Sequence, residues 1–184
     1  MSARSAAARR VMMLPSTNDQ LLLPVNPVFV AVSLLLAFGV NLLPIGRVPA
    51  MPDLLALTLA FWSVHQPRRV GVGIAFLFGL LMDVHEGSRL GQHALSYTLL
   101  SFGAIAIHRR LLWFGPMAQA VQVLPLFLLA KLVSLIARMA VGGMFPGWSV
   151  MLAPLFEALL WPLATILLLA PQRRPPDPDE TRPL

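Results

Sequence analysis

The sequence predicts an all-α integral membrane protein, a bundle of six transmembrane helices. Three observations lead there. Of 184 residues, 57% are hydrophobic and only 12% charged. A soluble domain carries roughly 25% charge, so polar residues are too few to cover a water-facing surface. Apolar runs then recur from about residue 25 to 170, divided by Pro, Gly and Arg pairs. Finally, Arg gathers in every second divider.

The first apolar run is Val25 to Leu43, uncharged and ended by Asn41, Pro44 and Gly46. The second is Pro52 to His65, stopped by Gln66-Pro67-Arg68-Arg69, and the third Val70 to Val84, ending in Asp83-Val84-His85-Glu86-Gly87. Both are shorter than the ~17–25 residues of a usual span and are expected to extend into the interface or sit where the bilayer thins. Reading them instead as one re-entrant hairpin would strand Arg68 and Arg69 in the bilayer, at ~2.5–3.5 kcal/mol each or more. The fourth run is Leu90 to Ile107, stopped by His108-Arg109-Arg110; the fifth is about Leu112 to Met139 and the sixth about Trp148 to Ala170. Residues 1–20 read as a polar N-terminal tail, 21–171 as the membrane domain, and 172–184 as a proline-rich charged tail. The early run Val11 to Leu14 is far below the ~7–15 residues of a signal-peptide core.

With six spans, the tails and the second and fourth loops share one side. That side holds ten Arg: Arg4, Arg9, Arg10, Arg68, Arg69, Arg109, Arg110, Arg173, Arg174 and Arg182; the other holds Arg47 and Arg89. The positive-inside rule puts the richer side, with both termini, in the cytoplasm. The net charge of +6 does not signal nucleic-acid binding, because the basic residues come as short pairs between apolar runs and form no single basic face. With no cysteine, disulfides, thiolate metal sites and Cys nucleophiles are excluded. No GxSxG, GxxxxGK[ST], GxGxxG or HExxH motif occurs. Asp83, His85, Glu86 and His93 gather near one end of the third and fourth spans, but without paired-ligand spacing. No catalytic residue, metal or cofactor is expected.

The remaining candidates are structural. Gly71, Ala75 and Gly79 repeat every four residues and Asp83 continues the stripe. Such a stripe lets helices approach closely, either within the chain or at a seam with a partner or second copy. Gly87 and Gly91 suit a tight turn, and Gly87→Val is expected to cost more than Asp83→Asn. Pro125, Pro154 and Pro162 lie inside spans and are expected to kink them. Lys131 stands eight residues before the outer end of the fifth span and Glu157 nine after the start of the sixth, both ~12–14 Å deep at ~1.5 Å per residue. An ion pair would offset their desolvation; the alternatives are a snorkelling Lys131 with a protonated Glu157, or a transport role.

The stretch Pro52–Leu95 resembles the rod shape-determining MreD family of bacterial inner membranes. The resemblance rests on Pro52, Phe61-Trp62, Pro67, Arg69, Gly73, Phe76, Gly79, Asp83, Gly87, Leu90, Gly91, Ala94 and Leu95, with Trp161-Pro162 in the last span; it extends over about residues 20–170. It implies a non-enzymatic scaffold of the cell-elongation machinery, binding MreC and working with MreB, RodA and an elongation transpeptidase in side-wall peptidoglycan synthesis. It also implies a fold similar to the six-helix substrate-binding subunits of energy-coupling-factor transporters, which makes a small-solute-binding transport subunit the alternative. Lys131 and Glu157 are no part of the family pattern.

Overall fold

The computed structural model describes residues 25–43, 51–87 and 91–172. Most of both tails, Arg47, Arg89 and Leu90 lie outside them. Asn26–Ala170 form one compact unit; Met1–Val25 with Pro171–Leu184 form a second, of which only Val25, Pro171 and Gln172 are described. Among the described residues there are six α-helices and no strand: α1 Pro27–Leu42, α2 Leu54–His65, α3 Val72–Glu86, α4 Gln92–Leu111, α5 Pro116–Ala140 and α6 Ala153–Leu169. A 3₁₀ turn, Trp148–Leu152, leads into α6.

Local chemistry sets the helix starts. Asn26 accepts the amide of Val28 at 2.9 Å and Pro27 opens α1. Asp53 accepts the amide of Ala56 at 2.9 Å to start α2, and Pro116 opens α5. These residues satisfy or dispense with amides that a helix start leaves unpaired. Gly87 ends α3 at φ +58°, a left-handed conformation that favours glycine.

Two expectations about boundaries need correction. The fourth helix does not stop at His108; it continues through Arg109 and Arg110 to Leu111. Basic side chains in a last turn suit the negative end of the helix dipole, and Leu111 is fully buried, tying that turn to the core. Pro154 is no interior kink either: it sits in the first turn of α6, where proline costs nothing. Pro125 and Pro162 are interior.

Successive helices run antiparallel. Ser33 and Asn41 of α1 meet Trp62 and Asp53. Gly79 meets Ala94 across α3 and α4. Ser96 and Gln92 of α4 meet Ala130 and Ser134 of α5. It follows that α2, α4 and α6 run parallel, and the bundle has two ends. One end carries Asn41, Asp53, Gly87, Gly91 and Met144; the other carries Pro67, Arg68, Arg109 and Trp113.

Helix α2 holds the centre, packed on α1, α4 and α6. Every residue from Leu55 to Val64 is buried, as expected of a helix that is apolar all round. Its 12 residues rise only ~18 Å, short of the ~30 Å hydrocarbon core. Helix α3 packs chiefly on α4 and touches α1 through Phe38 and Phe78, whose rings meet edge-on at 5.8 Å. Two helical stretches, Pro116–Ala140 and Trp148–Gln172, are long and apolar enough to cross a membrane on their own. Between the charged helix ends the outward faces are rich in apolar residues: Leu35, Leu36, Leu77, Phe102, Val121 and Leu159 are all exposed.

Candidate functional site

The buried acidic side chains gather at the end of the bundle that carries Asn41 and Gly91. Asp83 is fully buried near the end of α3. Its Oδ1 accepts the His93 amide at 2.7 Å and His93 Nδ1 at 2.9 Å. Its Oδ2 accepts the amides of Gly91 at 2.8 Å and Ala94 at 3.3 Å. One carboxylate therefore caps the start of α4 from the preceding helix. Gly91, at φ +105°, lets the chain turn into that cap. His93 Nε2 lies 3.6 Å from Glu86 Oε2 at the surface.

Beside this cap, Gly79 meets α4. A Cβ added there would stand 2.4 Å from Ala94 Cα and 2.6 Å from its amide nitrogen, so only glycine fits. Ala75 is fully buried as well. The stripe Ala75, Gly79 and Asp83 thus packs within the chain. Gly71 departs from it: it precedes α3, and a Cβ there would make only ordinary contact with the Pro67 carbonyl at 3.7 Å.

The second cluster joins α1, α2, α4 and α6. Asp53 accepts from Asn41 Nδ2 at 2.6 Å through Oδ1 and from the Tyr97 hydroxyl through Oδ2. Its own amide donates to Glu157 Oε1 at 3.1 Å. Asp53, His93, Tyr97, Lys131, Ser134 and Glu157 line a shared cavity of about 30 Å³. The common depth expected of Lys131 and Glu157 therefore holds, but the direct ion pair does not: no such pair within 4.0 Å joins them among the described residues. Glu157 instead takes the amide at the start of α2.

Further along the bundle the core turns aromatic. Trp161, fully buried, donates from Nε1 to Gln119 Oε1 at 3.0 Å. Its ring lies 5.9 Å from Phe61 and 6.3 Å from Phe127. Pro162 follows in α6, half-buried. Trp62 donates to Ser33 Oγ at 2.8 Å, and the Ser63 and Ser101 hydroxyls bond to each other at 2.8 Å. Among the described residues no three His, Asp or Glu side chains converge to hold a metal ion.

A family model described as "rod shape-determining protein MreD" matches residues 19–170. The chain belongs to the MreD family. It is therefore a membrane protein that determines bacterial cell shape. The rod shape-determining protein MreD of Haemophilus influenzae is 29% identical over 129 residues, covering 68% of this chain and 77% of the relative. No solved structure matches the chain.

In this MreD-family chain, reasoning from sequence missed Asp53, Asn41 and Tyr97, and gave His93 no role. Signals for two of them were present. Pro52-Asp53 stands directly before an apolar run, the pattern of a helix start. Tyr97 is the chain's single tyrosine, and a tyrosine hydroxyl within a span needs a partner.

Proposed function

We propose that the chain is a non-enzymatic, multi-pass scaffold of the bacterial inner membrane. In this reading both termini are cytoplasmic, and the bundle binds MreC within a larger assembly with MreB, RodA and an elongation transpeptidase during side-wall peptidoglycan synthesis. The observation that carries it is how the carboxylates at one end of the bundle are used. Asp53, Asp83 and Glu157 each accept a backbone amide at a helix start, which supports a structural use of all three. The charge pattern supports the orientation. Among the described residues, Arg68, Arg69, Arg109 and Arg110 sit at one end, while Arg138 is the one arginine near the other. Exposed Trp113 and Trp148 mark the two ends as interfacial tryptophans do.

A small-solute-binding subunit, similar in fold to those of energy-coupling-factor transporters, is the second reading, and the polar cavity is what favours it. Its volume of about 30 Å³ argues the other way, because ligand pockets run to ~300–1,000 Å³.

The test is recovery of the protein from native membranes. MreC should come with it, and depletion should turn rods into spheres that no added nutrient rescues. Co-elution of a stoichiometric solute, with rescue by that solute, would establish the transporter instead. Orientation is checked separately in the cysteine-free background: Met144→Cys should react with an impermeant maleimide from outside and Trp113→Cys should not. The exposed Met144 suits this better than Gly143, where a Cβ would meet the Arg138 carbonyl at 2.7 Å.

A further inference from the structure

We propose that the cavity between α2, α4, α5 and α6 is a water-binding site, and that its water carries the electrostatic link between Lys131 and Glu157. Both side chains line the cavity, yet no ion pair within 4.0 Å joins them among the described residues. Glu157 is buried, 4% exposed. Its Oε1 is bonded to the Asp53 amide, and the described hydrogen bonds use neither its Oε2 nor Lys131 Nζ. An ammonium carries three donors and a carboxylate about four acceptor sites. At membrane depth such groups must find partners or incur a large desolvation cost.

Size and lining decide the occupant. About 30 Å³ is room for roughly two waters at ~10–15 Å³ each. A buried water needs two to four polar partners, and an apolar cavity of this size would stay dry. Here Glu157, Lys131, Ser134 and Tyr97, polar residues on three helices, line one space. The rival arrangement is a swing of the flexible Lys131 side chain into direct contact with Glu157.

The test uses the full chain in nanodiscs. Thermal stability is measured for Lys131→Met, Glu157→Gln and the double variant, and infrared difference spectra against the wild type are recorded in H₂¹⁶O and H₂¹⁸O. The expected result is a double-variant loss several degrees smaller than the sum of the single losses. It is accompanied by a bound-water O–H band that shifts with ¹⁸O and disappears in Glu157→Gln. Ala130→Val narrows the same cavity without touching a charge; it should weaken that band and the coupling together, and it serves if Glu157→Gln fails to accumulate. Coupling without an isotope-sensitive band would mean direct contact and overturn the proposal. So would strictly additive losses, or a band unchanged in Glu157→Gln and Ala130→Val alike.

Discussion

The two halves of the bundle are held together by different physics. At the end that carries Asn41 and Gly91, three carboxylates, Asp83 and Glu157 buried and Asp53 half-buried, tie helix starts to neighbouring helices: Asp83 to α4, Asp53 to α1 and α4, Glu157 to α2. Around Phe61 and Trp161 the core is aromatic, and its polar contacts are hydroxyls, an amide, indoles and the His65 imidazole, which stacks on Phe61 and meets its carbonyl at 2.9 Å. Charge-assisted hydrogen bonds are directional, roughly twice as strong as neutral ones, and costly to leave half made. Aromatic packing is governed by volume and tolerates exchange that conserves volume. Substitutions in the polar half should therefore fail abruptly, and those in the aromatic half by degrees.

The sharpest break is Asp83→Ala. It orphans the amides of Gly91, His93 and Ala94 together, at ~1–3 kcal/mol for each buried donor. The protein should not accumulate in membranes, as read by quantitative immunoblot. Asp83→Asn should fare little better, because one acceptor oxygen becomes a donor facing amides that already donate. This reverses the milder effect expected from sequence, where Asp83 reads as the end of a helix. Normal abundance of Asp83→Asn would show that the turn, and not the carboxylate, holds α4.

Next is Trp161→Ala, which empties the middle of the aromatic half and leaves Gln119 without its indole partner. Loss of a buried tryptophan costs ~3–5 kcal/mol, so the variant should accumulate weakly and melt well below the wild type in detergent. Trp161→Phe keeps most of the volume and should recover much of the difference. A Trp161→Phe variant as damaged as Trp161→Ala would make the hydrogen bond to Gln119 dominant and erase the contrast between the halves.

What the sequence made legible follows the same division. The six helices were readable because membrane depth demands long apolar runs and the chain punctuates them with Pro and Arg pairs. The depth of Lys131 and Glu157 was readable too, since rise per residue is nearly constant. Their direction was not. Azimuth accumulates about 100° per residue, and both helices disturb the count: Pro125 lies six residues before Lys131 in α5, and the 3₁₀ turn Trp148–Leu152, with ~3.0 residues per turn, precedes Glu157. Asp83 illustrates the other limit. Its partners stand eight to eleven residues on, across a turn whose path no periodicity gives.

A smaller effect separates two glycines of one helix. Gly79→Ala forces a methyl against the Ala94 backbone, whereas at Gly73 nothing lies within 4 Å of an added Cβ. Overpacking against backbone costs ~1–3 kcal/mol, while Gly to Ala at an open helical position gains roughly 0.5–1 kcal/mol. Gly79→Ala should lower the melting temperature and Gly73→Ala should hold or raise it. Equal losses would place α3 against a surface other than α4.

The smallest effect is expected from the Ser63 and Ser101 hydroxyls, both fully buried and bonded only in the aromatic half. Ser63→Ala alone removes one partner, and the Ser101 hydroxyl can turn to a carbonyl one turn back in its own helix, so the loss should be slight. Replacing both residues removes donor and acceptor together. No polar group is then left unmet, and such paired replacements can be nearly neutral. Each alanine sacrifices one oxygen atom, too little to open a cavity that would weaken the packing of Leu59 or Leu100 nearby. The double variant should therefore accumulate and melt like the wild type. If it instead collapses as Asp83→Ala is expected to, the aromatic half depends on directional bonds after all, and the two halves differ in composition but not in how they hold.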